Sequence, residues 1–153
     1  MKTDLVVGGF LIHDNKVLLV HHKGSNLWLP VGGHIEKNET PDDAMKREFE
    51  EELGVEVELL NRKDILPRGN IVRQLTVPFY VNVHRIKGIK DVDDHDHCCF
   101  FYLCKLKTLK DLKINKNEVK DYAWLSIEEL NQEHVPIDVR NIALKAFELF
   151  NSL

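Results

Sequence analysis

The stretch GGHIEKNETPDDAMKREFEEELGV, Gly32 to Val55, reads as a glycine-entered loop feeding one helix. Thr40 offers the side-chain oxygen of a helix N-cap. Pro41 suits the first helical position because its missing N–H would be unpaired there, and Asp42 and Asp43 favour the positive end of the helix dipole. Gly54 supplies the stop, since glycine takes the left-handed C-cap conformation without strain. Between these limits Ala44, Met45, Phe49 and Leu53 recur at helical spacing and predict a face docked on the core. Glu48, Glu51 and Glu52 share another face at i, i+3 and i+4. Three carboxylates aimed at one spot repel one another unless a multivalent cation neutralises them, and an all-oxygen cluster suits a hard ion, Mg²⁺ above all. Arg47 is placed to brace Glu51 one turn on or to reach back to Glu39. Gly32 and Gly33 allow close approach of the backbone to an ion or a phosphate.

A charge run is usually a solvated surface. Here the identities are fixed at too many spacings for that reading: Gly33, Glu39 after five residues, Arg47 after seven more, then Arg47 to Val55 as REFEEELGV. This pattern resembles the Nudix box at all nine specified positions, and the resemblance extends more loosely over nearly the whole chain. Members of that family cleave a nucleoside diphosphate linked to another group, using divalent metal to activate water and neutralise the diphosphate. The resemblance implies metal binding by Glu48, Glu51 and Glu52, with a backbone carbonyl at Gly32 or Gly33, and Mg²⁺ as cofactor with Mn²⁺ as a substitute. Glu39 and Arg47 become structural supports that hold loop and helix together. The implied fold is α/β (α+β), a mixed β-sheet packed between α-helices, a topology that periodicity alone does not give.

Length and composition agree with a single small domain over residues 1–153: the hydrophobic content of 43% suffices for one core. A formal net charge of −4 gives no general attraction to nucleic acid or anionic membrane, so phosphate affinity has to be local or metal-borne. No stretch reaches the length of a membrane span, and Met1 to Asp4 lead into a strand pattern, not a signal peptide. Cys98, Cys99 and Cys104 are odd in number and crowded together, which favours reduced thiols and a cytoplasmic protein. Zinc ligation by the run His95-Asp96-His97-Cys98-Cys99 is disfavoured, because the spacing matches no usual pattern and adjacent cysteines on a strand face opposite ways.

Along the chain, Leu5 to His13 and Lys16 to His22 form two apolar runs joined at Asp14-Asn15, a hairpin signal. Leu27 to Pro30 reads as a short strand ending at the glycine pair. Val55 to Leu60, Val77 to Arg85 and Cys99 to Leu106 read as further strands, with Asp121 to Leu125 as one more. Ser126 caps a short turn over Ile127 to Leu130, and Val139 to Phe150 form a terminal helix with apolar Ile142, Ala146 and Leu149.

Outside the box, Glu118 lies six residues before Trp124. In nucleotide-hydrolysing relatives a glutamate at this distance from a tryptophan often lies in a loop over the metal, which makes Glu118 a fourth ligand or the base that deprotonates water. The acidic, histidine-rich loop Asp91 to His97 is the rival source of that base. His22 and Lys23 fall where relatives often place a cationic phosphate contact. Trp28 and Phe79 are candidates to stack on a base, although such strand positions are more often core. Asp138, just after Pro136, falls where some nucleotide-pool enzymes read the purine edge.

The leading expectation is therefore hydrolysis of a small nucleotide, a (d)NTP giving NMP plus pyrophosphate, by a monomer or homodimer. The alternatives are an ADP-ribose or nucleotide-sugar pyrophosphatase, an RNA-cap-processing enzyme using Lys105, Lys107, Lys110, Lys113, Lys116 and Lys120 as a phosphate track, and a catalytically silent nucleotide-binding module. Acidic residues interleave with those lysines and base-stacking aromatics are missing among them, so no stable nucleic-acid partner is expected.

Overall fold

The computed structural model describes residues 1–153. Strand β1 (Thr3–His13) is the axis of the sheet. Its successive side chains enter two different cores: Val6, Phe10 and Ile12 belong to one, and Val7 and Leu11 to the other. Strand β2 (Lys16–His22) divides the same way, with Val17 and Leu19 on one side and Leu18 and Val20 on the other. Burial on both faces explains why these runs read as continuously apolar instead of alternating. Asp14 and Asn15 make the turn between them with φ of 51° and 60°, the positive values that a tight two-residue hairpin requires.

Helix α1 (Pro41–Leu53) forms as its sequence dictates. The Thr40 hydroxyl accepts from the Asp43 N–H at 3.2 Å, and Gly54 closes the helix at φ 66°. Ala44, Met45, Phe49 and Leu53 are wholly buried against β1, β2 and their neighbours. Helix α2 (Ile137–Asn151) covers the opposite core with Val139, Ile142, Ala143, Ala146 and Phe147. The sheet thus lies between two helices, as the resemblance implied.

The remaining strands are β3 (Trp28–Leu29), β4 (Val31–His34), β5 (Val57–Leu59), β6 (Tyr80–Ile86), β7 (His95–Leu106) and β8 (Val119–Leu125). The main order is β3-β2-β1-β7-β5, with β4 paired to β1, β6 to β7 and β8 to β2. Only β1 and β7 run parallel, from Thr3 opposite Asp96 to Leu11 opposite Cys104. A short 3₁₀ turn (Glu128–Leu130) follows β8, and Ser126 and Glu129 exchange side-chain to backbone hydrogen bonds across it.

Two expectations about extent are corrected. The glycine pair does not end a strand: Gly32 and Gly33 lie inside β4, paired with Gly8 and Val7 of β1. The histidine-rich run is not all loop either, because β7 begins at His95, four residues before the expected start at Cys99. In both cases the neighbouring strand supplies pairing partners that compensate for poor local β-propensity. Cys98, Cys99 and Cys104 are free thiols; burial pushes Cys99 up to about 11 and Cys104 higher still.

Because Phe49 is the largest wholly buried side chain of α1, Phe49→Ala is expected to cost about 3–5 kcal/mol in urea unfolding. A loss below about 1 kcal/mol would mean that α1 is not held by this packing.

Candidate active site

One cleft gathers most of the residues singled out from the sequence. Its lining includes His22 at the end of β2 and Lys23 just after it, Gly32, Gly33 and His34 from β4, Arg47, Glu48, Glu51 and Glu52 from α1, and Asn117 and Glu118 from the loop before β8. None of its lining residues is hydrophobic. Five are glutamates, counting Glu36, against two permanently charged cations, Lys23 and Arg47.

Arg47 organises the near side. Its Nε and Nη2 grip the two oxygens of Glu39 at 2.7 and 2.9 Å, a bidentate pair. Nη2 also donates to the His34 carbonyl at 3.0 Å, and Nη1 reaches Glu48 at 3.0 Å and Glu51 at 3.1 Å. Glu39 in turn accepts from the Glu36 N–H at 3.0 Å, and its hydrogen bond from Arg47 holds its carboxyl below the usual carboxylate range. One guanidinium therefore ties β4, the following loop and α1 together. The two routes open to Arg47 in the sequence are both taken.

Glu48 and Glu52 differ from Glu51. They are buried, 8% and 3% exposed, whereas the Glu51 side chain is 45% exposed and turned toward Arg47. Glu48, Glu52 and Glu118 each bring a carboxylate oxygen within 4.8 Å of the others. Glu51 is not part of that set. Gly33 makes room for the cluster: a Cβ there would run into the Glu48 carboxylate and force it out of its place. Gly32 meets Glu52 through its N–H, which donates to Oε2 at 3.3 Å.

Glu118 reaches this point because its loop is fastened to the end of α1. The Lys113 and Asn115 N–H groups donate to the Leu53 and Glu52 carbonyls at 2.8 and 2.9 Å, satisfying backbone acceptors that a helix leaves open. Asn115 then accepts from the N–H groups of Asn117, Glu118 and Val119. The Lys23 N–H donates to the Glu118 carbonyl at 3.3 Å, and Lys23 Nζ to the Lys116 carbonyl at 3.3 Å. Asn115 is not among the residues singled out from the sequence. An Asn two residues before Asn117 is the turn-forming signal that was available.

Burial, then the charge of Glu48, raises Glu52 to about 9, and burial raises Glu48 as well. Without a cation, the folded protein holds a proton on Glu52 that water would remove. A buried set of oxygen donors with no competing nitrogen or sulfur is one that a hard divalent cation fits.

Trp28, Phe79 and Asp138 are not brought to this cleft. Trp28 stacks on His21 at 4.9 Å and packs, like Phe79, on the core beneath α2. Asp138 lies 3.5 Å from His84. Asp93 and Asp94 line a different cleft, beside Met1, Asp4 and His95. The lysine track is broken at its start, where Lys105 pairs with Glu58 and Lys107 with Glu56.

The NUDIX domain model matches residues 2–145. A Nudix-family hydrolase from Clostridium perfringens has the same fold with a TM-score of 0.78 and 28% identity, covering 98% of this chain and 99% of that one. A MutT Nudix hydrolase from Burkholderia pseudomallei superposes with a TM-score of 0.64 at 19% identity, over 95% of this chain and 98% of that one. In sequence, an 8-oxo-dGTP diphosphatase of Proteus vulgaris is 35% identical over 63 residues, 41% of this chain and 55% of that protein. The match therefore spans little more than half of that relative's length. The chain belongs to the Nudix family, whose members generally use divalent metals and act on small nucleotides. No helix is long and apolar enough to cross a membrane.

The raised Glu52 value fixes the sign of a pH effect. Between the ordinary 4.5 and about 9 the folded state keeps a proton that the unfolded chain has released, so metal-free stability falls as pH rises through that window. Thermal melts in EDTA from pH 5 to 9 are expected to show this decline, with Glu52→Gln flattening it. A metal-free protein that gains stability over the same range would contradict the assignment.

Proposed function

We propose that the chain is a divalent-metal-dependent nucleotide pyrophosphohydrolase, with a (d)NTP as substrate and NMP plus pyrophosphate as products. The observation that carries the reading is the convergence of Glu48, Glu52 and Glu118 beside Gly32 and Gly33 in a cleft without apolar lining. Such a cleft suits a polyphosphate and not a base. Its excess of carboxylates opposes any bare phosphate, so substrate enters with, or onto, a cation.

Glu48, Glu52 and Glu118 would hold Mg²⁺, with Mn²⁺ as a substitute, joined by Glu51 and by backbone oxygen from Gly32 or Gly33. When bound, the cation supplies positive charge against the diphosphate and makes water more acidic. The chain's own groups do the rest. Arg47 and Glu39 fix the helix relative to β4, so the carboxylates do not have to be ordered during the reaction. Lys23 and His22 line the cleft and are placed to meet outer phosphate oxygens. Glu118 sits at the edge of the cluster, less buried than Glu48 and Glu52, and accepts the proton of the attacking water. The relative named as an 8-oxo-dGTP diphosphatase supports a nucleoside triphosphate over ADP-ribose or a nucleotide sugar.

The test is a panel of canonical and oxidised nucleoside triphosphates, ADP-ribose and nucleotide sugars, with products resolved. A triphosphate is expected to give monophosphate and pyrophosphate with Mg²⁺, and nothing in EDTA. Release of inorganic phosphate and a diphosphate, or turnover in EDTA, would refute the reading. At saturating substrate and metal, Glu118→Gln is expected to lower kcat by about 10²-fold or more, while Asp93→Asn and Asp94→Asn each cost less than about tenfold. The reverse order would move the base to the second cleft.

A further inference from the structure

The sheet face opposite α1 carries a second cluster, which the proposed hydrolysis does not use. Asp4 lies directly across from His97 in the parallel β1–β7 ladder, and His34 of β4 lies across from Val6 of β1, two residues further on. Because strand side chains alternate, Asp4, His34, His95 and His97 all project from the α2 side, whereas Gly33 faces Glu48 on the other. The sequence run His95 to Cys99 has no usual metal-ligand spacing. The fold supplies what it lacks from two other strands.

Asp4, His34 and His97 converge on one point, and His95 stands against two of them. His34 Nε2 is 3.2 Å from Asp4 Oδ2, His95 Nε2 is 3.1 Å from His97 Nε2, and His95 Nε2 is 4.0 Å from Asp4 Oδ2. Ligand atoms of Asp4, His34 and His97 all lie within 4.8 Å of one another. Ligands at Zn–N and Zn–O lengths of about 2.0–2.1 Å around a tetrahedron are about 3.4 Å apart, so the His34–Asp4 and His95–His97 pairs already stand near that spacing, and the rings have to draw together to close the set. His95 Nδ1 lies 3.0 Å from the Asp93 carbonyl, which can only accept, so Nδ1 carries the proton and Nε2 presents its lone pair to the cluster, where it accepts from His97 Nε2 until an ion replaces that hydrogen. A backbone carbonyl behind the distal ring nitrogen is the usual support of a ligating histidine. Asp4 keeps Oδ2 for the cluster because Lys2 pairs with Oδ1 at 3.4 Å. The cleft beside Met1, Asp4, His34 and His95 gives an ion access from solvent.

We propose that Asp4, His34, His95 and His97 form a Zn²⁺ site that fastens the start of β1, the end of β4 and the start of β7 to one another. Three imidazoles and one carboxylate select a borderline transition ion over Mg²⁺. The site is distinct from the glutamate cluster, yet His34 belongs to both neighbourhoods: its ring is a zinc ligand and its carbonyl receives Arg47. Zinc would thus stiffen the strand end against which Arg47 is held.

The test uses the full chain, stripped of metal and kept in excess Mg²⁺ so that the glutamates are occupied. Zn²⁺ is titrated in competition with a chromogenic chelator, and Co²⁺ is followed by its visible absorption. One equivalent of Zn²⁺ is expected to bind, Co²⁺ to give the intense bands of a tetrahedral site, and the melting temperature to rise with Zn²⁺. His34→Gln and His97→Gln, with circular dichroism confirming the fold, should each weaken binding by about 10²-fold or more. Glu52→Gln and Cys98→Ser should leave it unchanged. Absence of stoichiometric binding would overturn the proposal and leave only a hydrogen-bonded cluster of imidazoles and one carboxylate. Binding that survives both histidine variants, or that is lost in Glu52→Gln or Cys98→Ser, would overturn it too, by assigning the ion to other ligands.

Discussion

Two buried glutamates one helical turn apart, Glu48 and Glu52, are the constraint around which the rest of the molecule is arranged. Burying like charges is expensive unless protons or a cation compensate them. The fold accepts this cost in one place and surrounds it with fixed supports. Arg47 takes up the charge of Glu39, Glu48 and Glu51 on one flank, and the Gly32 N–H meets Glu52 on the other. Beneath them Met45, Phe49 and Leu53 anchor the helix, so repulsion between the carboxylates cannot be relieved by moving it. Oxygen donors held apart from their preferred state are ready for a metal without further ordering.

The same logic explains how a residue far along the chain reaches the cluster. Residues 113–119 are bonded to the last carbonyls of α1, to themselves and to Lys23, so Glu118 is presented by a loop fixed at several points. Its carboxylate adds to the charge that raises Glu52. A loop held by the helix terminus it serves keeps the third acid in register with the other two.

Local chemistry made part of this legible in advance. Thr40, Pro41 and Gly54 marked both ends of α1, and the spacing of Ala44, Met45, Phe49 and Leu53 gave its buried face. Asp14-Asn15 marked the hairpin. Pairing between distant segments was less visible. Gly32 and Gly33 look like the end of a strand because glycine has low β-propensity, and only the register with β1 places them inside β4. His95 to His97 look like loop for a similar reason, until β1 and β6 flank them. Spacing alone treated Glu48, Glu51 and Glu52 as equivalent. Burial separates them: Arg47 reaches both Glu48 and Glu51, yet Glu51 is left exposed while Glu48 and Glu52 are buried. The cluster of Asp4, His34, His95 and His97 depends on three strands meeting, which no single window of sequence contains.

The central claim is that Glu52 holds a proton in the metal-free protein and gives it up to a divalent cation. Calorimetric titration of the protein with Mn²⁺ at pH 7, in two buffers of different ionisation enthalpy, measures the protons released on binding. With Glu52 near 9, the account predicts release of about one proton per cation bound, abolished in Glu52→Gln. Binding without proton release, or release that persists in that variant, would contradict it.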